Sequence, residues 1–65
     1  MSEIRRAKTR GHQIEVWMKE DGEPAVTVDG TDVPVRVVEG EYAVAYLEPH
    51  ADLLEAARHY ARLLD

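Results

Sequence analysis

The chain has 65 residues, 45% of them hydrophobic and 32% charged, which is the composition of one small globular domain. A domain of this size buries only ~60% of its unfolded surface, leaving no room for a core and a large catalytic cavity together, and the lack of cysteine removes disulfide and thiolate chemistry. The net charge of −5 is uneven: Arg5, Arg6, Lys8 and Arg10 against Glu3 give residues 1–10 a charge of +3, while residues 11–65 carry −8 and so disfavour nucleic acid as the main partner.

In chain order, residues 1–11 read as a basic, partly flexible N-terminal arm ahead of a single β-β-β-β-α domain over 12–65. Arg5 to Arg10 suit either a flexible arm that touches an acidic partner or a nucleic-acid backbone, or a solvated, frayed terminus. No apolar run follows the basic stretch, so no signal peptide is read and a cytoplasmic location is expected. The longest uncharged run, Tyr42 to Leu47, is far shorter than the ~20 residues of a membrane-spanning helix.

Ile14 to Lys19 alternate with a period of two, which puts Ile14, Val16 and Met18 on one face. Glu20 to Pro24 form a turn, and Ala25 to Val28 a short second strand. Asp29-Gly30 is a hairpin signal, because glycine accepts the positive φ of a type I′ turn. Thr31 to Val38 alternate again, with Val33, Val35 and Val37 on one side and Pro34 placed at a sheet edge. Glu39-Gly40-Glu41 turn the chain into a last strand, Tyr42 to Leu47. The expected fold is therefore α+β, a four-stranded antiparallel meander with one C-terminal helix packed on one face.

The period then changes. Leu53, Ala57, Tyr60 and Leu64, joined by Leu54 and Ala61, form one stripe of a helix. Asp52 caps its first turn and Glu55 is expected to reach back, a variant of the capping box, with Pro49 just upstream. If the helix covers Ala43, Ala45 and Leu47, the opposite face carries Trp17, Tyr42 and Tyr46. These side chains combine a large ring with a polar tip, as binding surfaces do. The competing reading places Tyr42 and Tyr46 in the core.

No catalytic constellation emerges. The lone serine, Ser2, sits at the terminus, the glycines are dispersed turn residues, and the turn carboxylates lack calcium-loop spacing. His12, His50 and His59 share no i, i+4 spacing, and His59 follows Glu55 by four residues, a favourable charge pair. A transient copper(I) site using Met18 or a histidine has little support. No metal site and no cofactor are expected.

Val28-Asp29-Gly30, the valine-rich strand closed by Glu39-Gly40, Tyr42-Ala43-Val44-Ala45-Tyr46, the bend Leu47-Glu48-Pro49 and the helical Glu55-Ala56-Ala57-Arg58 together resemble the tyrosinase caddie family. Its members are small partners of bacterial type-3 copper enzymes. The resemblance runs from about Ile14 to Leu64 and implies a sheet that packs over a copper pocket, with Tyr46 entering it as a substrate mimic. Two departures from the family are expected, since neither an export signal nor a histidine-rich insertion is read in the sequence, so docking fits better than copper delivery.

The resulting expectation is a non-catalytic protein-binding module that uses Tyr46, Tyr42, Trp17, Pro49 and His50. Its partner would be a larger protein, with a copper oxidase as the version the resemblance implies, and not a membrane. The oligomeric state is left open. The alternative is an acidic inhibitor or antitoxin-type regulator that covers a basic site on its target.

Overall fold

Paired positive φ angles organise the β region. Arg10-Gly11 (52° and 83°), Asp29-Gly30 (54° and 80°) and Glu39-Gly40 (51° and 82°) each hold the two left-handed residues of a type I′ turn. Such a turn matches the twist of the strands it joins. In the computed structural model, which describes residues 3–64, these turns connect β1 (Arg5–Thr9) to β2 (His12–Met18), β3 (Pro24–Val28) to β4 (Thr31–Val33), and β5 (Val35–Val38) to β6 (Glu41–Val44). Helix α1 (Leu53–Arg62) closes the chain.

Strands β1 to β4 form a four-stranded antiparallel sheet in sequential order, and β5 and β6 form a separate two-stranded sheet. With α1 packed against the larger sheet, the chain is an α+β domain containing a four-stranded meander. The membership of that meander differs from the sequence reading at both ends. Arg5 to Thr9, assigned to an N-terminal arm, are an edge strand that pairs with β2, with Thr9 opposite His12 and Arg5 opposite Val16. Residues 1, 2 and 65, Ser2 included, lie outside the described residues.

The second difference lies at Pro34, where the expected strand Thr31 to Val38 divides. A proline has no amide hydrogen for a ladder. β4 therefore ends at Val33 and β5 starts a new sheet at Val35. The single face expected of Val33, Val35 and Val37 is lost with it: Val33 is buried, whereas Val37 is 55% exposed. The last strand is also shorter than expected. Ala45 adopts φ 54°, which ends the β6 conformation after Val44.

Ile14 and Val16 of β2, Val26 and Val28 of β3, Val33 of β4 and Val44 of β6 pack with Leu53, Ala56, Ala57 and Ala61 of α1 in one core. Each fully covered aliphatic side chain contributes ~1.5–3 kcal/mol, and the helix alanines permit close approach to the sheets. Tyr42 packs against this cluster. Tyr42 is therefore half-buried, neither on a fully uncovered face with Trp17 and Tyr46 as one reading expected nor sealed in the core as the other did. Both Ala43 and Val44 are fully buried, so β6 is covered on two sides and not only over its alanines.

Asp52 caps α1 as expected, its carboxylate accepting the Glu55 amide at 3.1 Å. The Glu55 carboxylate does not reach back to complete a capping box. It accepts from Arg58 at 3.3 Å instead.

Candidate docking surface

Tyr46 follows Ala45 in the turn that ends β6, and its side chain is 86% exposed. The backbone beneath it is firmly held. The Ala45 amide donates to the Pro34 carbonyl at 2.7 Å and the Leu47 amide to the Val44 carbonyl at 3.0 Å, while the Arg36 guanidinium donates to the Ala45 carbonyl at 3.3 Å. Alanine in the left-handed region carries some strain, which the flanking hydrogen bonds hold in place. The outcome is a phenol ring carried outward on an ordered knuckle.

Trp17 and Tyr42 meet elsewhere. Both are half-buried, and together with Val16, Met18, Leu53 and the charged Arg5 and Asp52 they line an open groove of about 320 Å³ beside the start of α1. Arg5 donates to Asp52 at 3.2 Å across this end of the molecule. That hydrogen bond is the main reason the Asp52 carboxyl lies below its usual range; partial desolvation opposes the shift and the Glu55 amide adds to it. Tyr46 lies outside the groove. The three expected rings therefore occupy two surfaces, a shallow aromatic groove and a separate projecting tyrosine.

Pro49 is exposed and His50 half-buried in the segment between β6 and α1. His50 exchanges two backbone hydrogen bonds with Tyr42, its amide to the Tyr42 carbonyl and the reverse, each 2.8 Å. This bridge returns the chain to β6 and anchors the far end of the segment that carries Tyr46. The side chain of His50 turns toward the helix, where its Nε2 lies 2.9 Å from Nδ1 of His59. The expected pairing of His59 with Glu55 is not what forms, since Glu55 is taken by Arg58. His59 is not among the residues expected at the site. Its spacing from His50 gave no sign of contact, because the contact depends on the bend at Leu47-Glu48-Pro49 folding His50 back onto β6.

Another histidine is paired at the opposite end. His12 Nδ1 lies 2.6 Å from Asp29 Oδ2, and the Gln13 amide donates to Asp29 Oδ1 at 3.0 Å. These contacts, His12 first, hold the Asp29 carboxyl below its ordinary value of 3.8. A His–Asp pair orients a base only where a nucleophile stands beside it, and these atoms are engaged with a hairpin turn. Their role here is to tie β2 to the β3–β4 turn. Among the described residues no group of three or more histidines and carboxylates gathers in a metal-binding arrangement, and no helix is long and apolar enough to cross a membrane.

No protein-family model, no curated protein and no solved structure matches the chain.

Proposed function

We propose that this chain is a non-catalytic protein-binding module that docks on a larger protein and inserts Tyr46 into a pocket on its surface. The single observation that carries the reading is the 86% exposure of Tyr46 on a hydrogen-bonded turn. Because the backbone beneath the ring is already hydrogen-bonded, binding would have to order only the two side-chain torsions of the tyrosine, as suits an interface anchor. The resemblance to tyrosinase caddies supplies the concrete version, in which the partner is a type-3 copper enzyme and the phenol occupies the place of its substrate. The Trp17–Tyr42 groove, with Pro49 and His50 on the connecting segment, would form flanking contacts. A cytoplasmic location belongs to the same proposal and is tested by fractionating the native host.

Inhibition of phenol oxidation by a type-3 copper enzyme tests the reading. The wild-type chain should inhibit, and Tyr46→Ala should weaken inhibition by roughly 30-fold, the size of an interface hot spot. Because the ring is exposed, this variant should unfold at the same temperature as the wild type. Equal inhibition by both chains would remove Tyr46 from the site.

The acidic regulator remains a second reading, favoured by exposed acids at Glu20, Asp21, Glu23, Asp32, Glu39, Glu41 and Glu48 on a body of charge −8. It makes a different demand. Binding should weaken steeply with salt and be indifferent to Tyr46.

A further inference from the structure

Two imidazoles nine residues apart in sequence face one another where the segment between β6 and α1 meets the helix. His50 Nε2 and His59 Nδ1 are 2.9 Å apart, with ring centroids separated by 5.0 Å and planes crossed at 77°. A neutral imidazole has one N–H and one lone pair, so the contact holds a single proton between the two facing nitrogens. Take that proton away and two lone pairs point into the same small space. A cation other than the proton can then occupy it.

The backbones supporting these rings are fixed independently. His50 is held by its paired hydrogen bonds to Tyr42, and His59 lies on α1, whose Ala56, Ala57 and Ala61 are buried in the core. Both residues are half-buried, which restricts rotation of the rings while leaving part of the pair exposed to solvent.

We infer that His50 Nε2 and His59 Nδ1 form a two-nitrogen site for a borderline divalent metal ion of the zinc class, which clasps the segment after β6 to α1. Imidazole suits such ions. With Zn–N bonds of ~2.0–2.1 Å, tetrahedral coordination sets the nitrogens about 3.3 Å apart. The rings must therefore separate by roughly 0.4 Å and tilt, a movement that side-chain torsions supply without displacing either backbone. Since no third histidine or carboxylate joins the pair among the described residues, water or a donor from another molecule completes the shell. The site is thus open, unlike the closed four-ligand zinc sites that hold small domains together. His50 also flanks the proposed docking surface, but the metal site needs no partner and the isolated chain suffices to test it.

Thermal unfolding of the untagged chain, first stripped with EDTA, is measured at pH 7.5 with and without ZnCl2. At about 1 mM zinc the wild type should gain roughly 5 °C or more, because an ion bound only by the folded state stabilises it. His50→Gln and His59→Gln should each lose that gain, whereas His12→Gln should keep it. Calorimetric titration at a temperature where every variant is folded supplies the second measurement, with one zinc per chain in the wild type and none in the two site variants. No thermal gain in the wild type, or a gain that survives His59→Gln, overturns the assignment.

Discussion

Asp29 occupies the first left-handed position of the β3–β4 turn at φ 54°, a conformation that aspartate and asparagine tolerate better than most residues. Its carboxylate gathers the His12 ring and the Gln13 amide, adding a charged contact to the backbone tie in which the Asp29 amide donates to the Gln13 carbonyl at 2.8 Å. Asparagine keeps the backbone preference and removes the charge, which makes Asp29→Asn a clean probe. A carboxyl whose folded pKa is lowered stabilises the fold fully above its unfolded value, near 3.8, and loses that contribution as pH falls through the lower folded value. The variant should therefore be less stable than the wild type at neutral pH. The gap should close as the wild type is titrated below 3.8 towards its shifted pKa. Urea unfolding midpoints of the two chains at a series of pH values measure it; a gap that is constant with pH would mean the charge has no part in the effect.

Among the elements, α1 shows what periodicity can reveal and β1 what it hides. The helix announces itself through an apolar stripe and an Asp52 cap, and the structure keeps both. β2 was equally legible, because Ile14 and Val16 alternate with polar neighbours and are buried as a pair. Arg5 to Thr9 carry no such alternation. An edge strand with basic side chains looks like a solvated tail, and only Arg10-Gly11, which makes the same turn as Asp29-Gly30, signalled a hairpin. The site was legible in part for a similar reason. Tyr46 could be placed near a strand end, but the separation of its ring from Trp17 and Tyr42 arises from the breaks at Pro34 and Ala45, which act over tertiary distances. The Arg5–Asp52 contact shows how the hidden strand supports the visible helix. Asp52 holds both the Glu55 amide and the Arg5 guanidinium, yet the two contacts differ in weight. Loss of an N-cap costs about 0.5–2 kcal/mol, whereas an exposed ion pair contributes ~0–1 kcal/mol. Asp52→Ala should accordingly destabilise the chain more than Arg5→Ala by chemical denaturation, and equal losses would show that the ion pair, not the cap, dominates.

For the molecule as a whole, the question is whether β1 is an appendage or part of the cooperative unit. A domain of 65 residues is stable by only ~3–10 kcal/mol. The five-residue register between β1 and β2 is a substantial share of that: even at ~0.5 kcal/mol per ladder hydrogen bond it contributes about 2 kcal/mol. Its side chains extend the connection around the fold. Arg6 pairs with Glu15 at 2.8 Å on β2, Arg5 reaches the helix cap, and Arg10 donates to the Arg62 carbonyl at 3.3 Å near the helix C-terminus. Thr9 is buried. Removing the strand would also uncover the edge of β2, the strand that carries Ile14 and Val16 into the centre of the core, and leave a fresh row of unpaired backbone groups open to association. Deletion of residues 1–10 should therefore lower the urea midpoint by about half or abolish folding, rather than trimming a tail without effect. The substitution Ala7→Pro, which removes one amide from the ladder while retaining the basic charge, should destabilise in the same direction. If the truncated chain unfolds at the wild-type midpoint, residues 5–9 are an attached ribbon and the cooperative unit begins at β2.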